Sequence, residues 1–278
     1  MAQSKPKLLR YYIKDSVVPF EEDMYHEFKG HRNLAVEELP PWTKETMKER
    51  ASRRAVSRAL NGFVNTGKGG TTYLGIIDSG EVRGVTLTQY QKDHVIGSLD
   101  DLMSRYTPPV APHRYKVKFV PVIQKECTEE ERLLQCVPDP GECYETEERK
   151  RPHQFRTHHY CWCDKESLSQ YSCGILATDY VIEITIKPWD PMDSRNADVS
   201  CGTLVSMHPF HADEEGMVYF RRQASLVQYN MIEVAHLTRQ ETKEQCRLEV
   251  QRLENEIKQT KKKLQKGEEE HADGGGVT

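Results

Sequence analysis

Three acidic residues stand where their carboxylates can meet at one end of a predicted sheet. Glu22 and Glu27 flank a short segment that ends in the strand-like run 26–29, and Asp78 ends an apolar strand that follows a glycine turn. Carboxylate oxygens suit a hard cation such as Mg²⁺ or Mn²⁺, which holds substrate phosphates through its remaining positions. The alternative is that Glu22 and Glu27 are surface acids and that Asp78 opens a turn before Ser79. Spacing by itself leaves both interpretations open.

A longer string of motifs surrounds these acids. It consists of Glu22, Glu27-Phe28-Lys29, Phe63-Val64-Asn65-Thr66, Gly69-Gly70, Leu74-Gly75-Ile76-Ile77-Asp78 and, later, Tyr219-Phe220-Arg221-Arg222. The string resembles the core of the Schlafen family, also called the Schlafen Alba-like domain, over roughly residues 21–228. In nuclease members of that family, two glutamates and an aspartate in this arrangement form a metal-dependent RNA-cleaving centre. The resemblance therefore implies that Glu22, Glu27 and Asp78 are catalytic residues that bind Mg²⁺ or Mn²⁺.

A second set of residues could contact RNA phosphates near the acidic centre. The set comprises Lys29, Lys68, Gly69, Gly70, Arg221 and Arg222. Glycine amides can approach an anion closely, and guanidinium groups form paired hydrogen bonds with phosphate. The alternative for the two arginines is a salt bridge to an acidic loop. A Walker loop is absent from the sequence, so ATP binding through that motif is not supported.

Composition narrows the class of protein. The chain has 278 residues and a net charge of −4, with a pI near 6.3, so nucleic-acid binding would need a local basic face. Its apolar runs fall short of the ~20 residues of a membrane helix, and residues 1–12 lack a signal-peptide core. The eight cysteines lie in a chain too large and too charged to need a disulfide scaffold. We expect an intracellular, cytoplasmic protein with no membrane partner.

Periodicity predicts an α/β (α+β) fold with one Schlafen Alba-like lobe. Apolar stripes predict one helix that carries Val56, Leu60, Phe63 and Val64 and a second that ends near Tyr106. Alternating residues predict that strands 115–123 and 180–186 pair in a mixed or antiparallel sheet. The predicted organisation is a basic leader at 1–18, with an apolar cluster that could form an edge strand or simply pack, the lobe at 19–230 and an insertion at 124–174. A coiled-coil-like helix at 231–266 and a disordered tail at 267–278 complete the chain.

The insertion concentrates cysteine and histidine. Cys161, Cys163, Cys173 and His159 could supply four ligands to zinc. Their spacing fits no standard finger, and a long loop is the simpler interpretation. The ligands of the structural zinc in Schlafen nucleases have no clear match here, so any zinc would be a local replacement.

The C-terminal helix carries an apolar seam at Cys246, Val250, Leu253, Ile257 and Leu264. Such a seam favours packing against a second copy, another protein or the chain's own lobe. Schlafen cores pair two lobes around RNA, so the resemblance implies a second lobe, by homodimer or heteromer. The predicted function is a metal-dependent endoribonuclease, or a subunit of a nuclease complex, acting on tRNA or small-RNA precursors. The alternative is a non-catalytic scaffold that binds RNA or a nucleotide such as ATP.

Overall fold

The computed structural model describes residues 10–32, 55–135, 143–145, 172–173, 178–196 and 208–273. The chain divides into two compact units. The first contains Met1–Asp190 and His208–Asn230, and the second contains Pro191–Met207 and Met231–Thr278. The first unit holds all of the described strands, whereas the second consists mainly of one long helix.

A seven-stranded mixed sheet forms the centre of the first unit. Its strands are β1 (Tyr12–Ile13), β2 (His26–Lys29), β3 (Gly70–Leu74), β4 (Val85–Leu87), β5 (Tyr115–Ile123), β6 (Cys143–Glu145) and β7 (Thr178–Ile186). The main path runs β1-β5-β7-β3-β2, while β4 pairs with β7 and β6 with β5. The pairs β1–β5 and β2–β3 are parallel, and the other pairs are antiparallel. The sheet therefore places β2 at one edge, beside β3.

Helices cover one face of this sheet. Among its described residues, the first unit has the helices α1 (Ala55–Thr66), α2 (Gln89–Arg105) and α3 (Glu129–Gln135). Apolar side chains of α1 and α2 pack with Leu74, Ile182 and Ile184 in the larger hydrophobic cluster. Tyr73 and Val181, the chain neighbours of Leu74 and Ile182, belong to a second cluster. Because successive strand residues point to opposite faces, the sheet is apolar on both sides.

A hairpin of β8 (Val218–Arg222) and β9 (Ser225–Tyr229) packs on α1. Asn61 accepts a hydrogen bond from the Tyr219 amide at 2.8 Å, and Asn65 donates to the Tyr219 carbonyl at 3.0 Å. The hydroxyl of Thr66 accepts from the Arg221 amide at 3.0 Å. These polar side chains of α1 are buried or half-buried and are satisfied by the backbone of β8, which fixes the position of Arg221.

The predicted elements within the first unit are confirmed in most respects. The described part of the first helix is α1, and the second helix begins after a capping box at Thr88. Strands β5 and β7 pair antiparallel as expected, and Tyr12–Ile13, in the described part of the leader, form the short edge strand β1. The structure thus confirms a mixed α/β fold, and the Schlafen Alba-like lobe stays a prediction.

The second unit contains α4 (Met231–Asp273) and a short 3-10 turn at Ser194–Asn196. Helix α4 begins at the predicted position but continues past residue 266 into the predicted disordered tail. The extension is rich in glutamate, a residue with a high helix propensity. No helix in the described part of the chain is both long and apolar enough to cross a membrane.

Most of the cysteine-rich insertion lies outside the described residues. Of the four residues in the zinc hypothesis, Cys161, Cys163 and His159 fall there. The fourth, Cys173, lies within the described residues and is an exposed free thiol. The zinc hypothesis therefore stays a prediction.

Candidate functional site

A turn built around Asp23 positions the two glutamates. Its carboxylate accepts hydrogen bonds from the backbone amides of Tyr25 and His26 at 2.7 and 2.8 Å, which directs the chain into β2. Such local bonds are the reason that aspartate favours turns. The chain before the turn folds back, and the Glu22 carboxylate accepts a hydrogen bond from the Phe28 amide at 2.7 Å. Glu22 therefore lies beside the strand that carries Glu27.

Glu27 is almost fully buried in the middle of β2, and both of its oxygens have cationic partners. Lys29 Nζ lies 2.6 Å from Oε1, and the guanidinium of Arg221 donates to Oε2. The same ammonium group lies 4.0 Å from Oε1 of Glu22 and donates to the Phe28 carbonyl at 2.7 Å. Lys29 thus occupies a position between the two glutamates where a cation is favoured.

Asp78 lies in a tight turn after β3, where the Gly80 amide donates to the Ile77 carbonyl at 2.8 Å. The side chain is exposed. Asp78 and Glu22 both line a groove of about 440 Å³, whose other walls include Phe20, Phe28 and Gly80. The groove brings together two of the three predicted acids, while Glu27 lies outside its lining.

The three carboxylates interact electrostatically. Burial is the largest cause of a raised pKa at Glu22, and the negative charges of Glu27 and Asp78 raise that pKa further. The Phe28 amide and the Lys29 ammonium oppose the shift. Glu22 therefore holds a proton more tightly than an ordinary glutamate does, because its charged form is partly desolvated and lies near two other acids.

The carboxylates of Glu22, Glu27 and Asp78 are chemically suited to a hard divalent cation, but they are not arranged around one point. Carboxylate oxygens are the preferred ligands of Mg²⁺ and Mn²⁺, and a cation would relieve the repulsion felt by Glu22. Within the described ranges, however, no group of three or more His, Cys, Asp or Glu side chains is placed to hold a metal. For Glu27 to serve as a third ligand, Lys29 would have to leave its Oε1 atom.

The structure gives Arg221 a different role from the predicted phosphate contact. Its side chain has no exposed area, and it donates to Glu27 and to the backbone carbonyls of Asp23 and His26. A side chain whose donors are used in this way cannot reach a phosphate at the surface. The alternative interpretation expected a salt bridge to an acidic loop, whereas the structure pairs Arg221 with Glu27 in strand β2.

The two predicted phosphate-binding glycines are required by packing. A Cβ atom at Gly69 would lie 2.5 Å from the Ile186 carbonyl oxygen, and one at Gly70 would lie 2.3 Å from the ring of Phe63. Gly69 is buried and has a φ of +72°, which glycine adopts without strain. These contacts explain both glycines without a bound anion.

Lys68 and Arg222 remain exposed candidates for phosphate contact. Lys68 lies in the turn between α1 and β3. The guanidinium of Arg222 donates to the Tyr229 hydroxyl and lies 5.3 Å from the centre of that ring. Lys29 is mostly buried between the glutamates, so it serves the acidic centre first.

Sequence reasoning missed Asp23 and the asparagines of α1. Asp23 shapes the turn that places Glu22, and Asn61 and Asn65 dock the hairpin that delivers Arg221. The available signal was a polar row at Ser57, Asn61 and Asn65, spaced by four residues beside the apolar stripe of the helix, since buried polar groups need partners.

A scan of the sequence against models of known protein families matches none of them. The geometry around Glu22, Glu27 and Asp78 and the motif string are therefore the observations that bear on function.

Proposed function

We propose that this protein is a metal-dependent endoribonuclease, or a subunit of a nuclease complex, acting on structured small RNA such as tRNA or small-RNA precursors. The observation that carries the proposal is that Glu22 and Asp78 line one groove, while Lys29 connects Glu22 with Glu27. The motif string that resembles the Schlafen core supports the same centre. A groove edged by acids suits a cation-mediated contact with phosphate.

In this proposal, Glu22, Glu27 and Asp78 would hold Mg²⁺ or Mn²⁺. When bound, the ion would supply an activated water and offset negative charge on the scissile phosphate. Arg221 fixes one oxygen of Glu27, and Lys29 balances the charge of the other. Burial and the charges of the two neighbouring acids raise the pKa of Glu22, so a divalent cation beside these carboxylates would relieve the repulsion that Glu22 experiences.

The decisive experiment is a Mn²⁺-dependent cleavage assay on tRNA and small-RNA precursors. We expect Asp78→Ala to abolish cleavage, since it removes one carboxylate from the groove. Glu21→Gln is the matched control because Glu21 lines the same groove but has no assigned role, and it should retain wild-type cleavage. Equal cleavage by wild type and Asp78→Ala would reject this centre.

A second candidate function is a non-catalytic module that binds RNA or a nucleotide such as ATP. The observation that favours it is the full pairing of Glu27 by Lys29 and Arg221, because an acid held in this way already has its charge balanced. Calorimetric titration with Mn²⁺ separates the two functions without RNA. The nuclease proposal expects Mn²⁺ binding that Asp78→Ala weakens, whereas the module expects RNA or nucleotide binding that does not depend on Mn²⁺.

A further inference from the structure

Helix α4 presents an apolar seam to solvent over several turns. At 43 residues and ~1.5 Å per residue, it extends for roughly 65 Å. Val250, Leu253, Ile257 and Leu264 are between 41 and 62% exposed. Since a helix gains most of its stability from packing of its apolar face, a seam of this length needs a covering surface.

The seam has the spacing and residue types of a parallel two-stranded coiled coil. Counting heptads with Val250, Ile257 and Leu264 at position a places Cys246, Leu253 and Thr260 at position d. β-Branched residues at a, combined with leucine at d, favour two parallel strands over higher assemblies. The residue types at Val250, Ile257 and Leu253 therefore favour one particular partner geometry.

Charges beside the seam favour the same geometry. In a parallel, in-register pair, Glu256 at position g faces Lys261 at position e of the other helix. Oε1 of Glu256 already forms a salt bridge of 2.8 Å with Arg252 of its own helix. The second oxygen of Glu256 can accept a hydrogen bond from the lysine of the other helix. An antiparallel pair that kept the same six a and d residues in contact, from Cys246 to Leu264, would bring Glu256 opposite Glu256 of the other helix. It would also bring Arg247 near Lys261. Glu249 and Glu254 repel each other in the parallel pair, which keeps the association moderate.

We propose that α4 pairs with α4 of a second copy of this chain as a parallel, in-register coiled coil spanning residues 246–264. The complementarity of Glu256 with Lys261, together with the seam residues, makes an identical helix the partner. This pairing specifies the second lobe as another copy, and its biological meaning rests on the proposed function. It would place two acidic grooves in one particle.

Sedimentation equilibrium of the full chain tests the pairing without RNA or metal, so its outcome is independent of nuclease activity. At micromolar concentrations, wild type should show twice the monomer mass of 32.2 kDa. Leu253→Lys should reduce this to the monomer mass. Asn255→Lys, on the opposite face of the same turn, is the matched control and should stay dimeric. A monomeric wild type, or a dimeric Leu253→Lys, would overturn the proposal.

A variant that strengthens the dimer is a second test, because Leu253→Lys could be monomeric merely through loss of helix structure. Thr260 places a hydroxyl at a d position, where an apolar side chain packs better. Thr260→Leu should lower the dimer dissociation constant by about tenfold, because it adds buried apolar area from both chains and keeps leucine at a d position. An unchanged or higher dissociation constant would exclude Thr260 from the interface and reject this register.

Cysteine cross-linking tests the direction of the helices. In the parallel pair, Cys246 of each copy faces its counterpart across the seam, whereas the antiparallel pair would bring it opposite Leu264. Mild oxidation should therefore give a dimer in which peptide mapping finds Cys246 joined to Cys246, and Cys246→Ser should lack this linkage. Adding Thr260→Cys to Cys246→Ser should restore the cross-link at another d layer. Absence of both cross-links in a dimeric protein would overturn the parallel arrangement.

Discussion

Arg221 and Glu27 form a buried ion pair that joins β8 to the edge strand β2. The guanidinium also donates to the carbonyls of Asp23 and His26, at 2.5 and 2.8 Å. It thereby closes the turn that places Glu22 beside Glu27. The position of the acidic groove consequently depends on a hairpin nearly 200 residues away in the chain.

Removing the guanidinium should destabilise the first unit strongly. We expect Arg221→Met to lower the free energy of unfolding by about 3–5 kcal/mol, because it leaves the buried Glu27 with one cationic partner instead of two. Urea unfolding measures the change. Adding Glu27→Gln should recover part of the loss, since it removes the unbalanced charge. Arg222→Ala, at the exposed neighbour, should change the free energy of unfolding by less than about 0.5 kcal/mol.

Alanine substitution at two glycines distinguishes the energetic cost of backbone strain from that of a steric clash. Gly69 and Gly216 have similar φ angles of +72° and +78°, but a Cβ atom at Gly216 would meet nothing within 4 Å. Gly216→Ala should therefore lower the free energy of unfolding by about 1–2 kcal/mol, which is the strain of a non-glycine residue in the left-handed backbone conformation. Gly69→Ala should cost clearly more, because its Cβ would collide with the Ile186 carbonyl. Equal unfolding free energies for the two variants would contradict the packing role of Gly69.

Glu22 should oppose folding at neutral pH. Its pKa is raised in the folded protein, so the folded state binds this proton more tightly than the unfolded state does. The resulting stabilisation is present below the ordinary pKa of glutamate and is lost as pH rises through the raised value. Glu22→Gln should thus raise the free energy of unfolding at neutral pH, and the gain should fade in acid. An equally large gain at acidic pH would contradict this role of Glu22.

Periodicity identified the sheet because its residues obey local rules. The strands 115–123 and 180–186 could be paired from sequence since polar and apolar residues alternate along much of each strand and both are rich in β-branched or aromatic residues. The stripe of α1 was equally clear, as every third or fourth residue contacts the core. These features depend on residues near one another in the chain.

The acidic site was only partly predictable because it depends on contacts between distant segments. Sequence reasoning selected Glu22, Glu27 and Asp78, but it could not show that Arg221 is buried against Glu27. Strand β8 buries four successive residues, so the usual alternation that separates inward from outward side chains gives no warning there. Lys29 was expected near the acids, yet its position between two glutamates is a tertiary result.

His211 should make folding pH-dependent in mild acid. Burial lowers its pKa to about 4, and its Nδ1–H donates to the Pro108 carbonyl at 2.5 Å, which fixes the neutral ring. The unfolded chain then binds a proton that the folded chain does not, so stability falls as pH drops from about 6.5 to about 4, by up to roughly 3 kcal/mol. Urea unfolding across this range should show the loss. His211→Asn should flatten the profile, and an equally steep profile would exclude His211 as its source.

RNA binding should depend on the exposed cations and not directly on the buried one. Lys68 and Arg222 are exposed and can neutralise phosphates, so each alanine substitution should reduce the salt slope of RNA affinity by about 1. Lys258→Ala removes the same charge from helix α4 of the second unit, which has no assigned RNA contact, and should leave the slope unchanged. Arg221→Lys keeps the buried charge and should leave it unchanged as well. Fluorescence anisotropy over a salt series would measure these slopes. If Arg221→Lys reduced the salt slope of RNA affinity and Arg222→Ala did not, Arg221 would be the residue that contacts phosphate. That result would contradict the burial of Arg221.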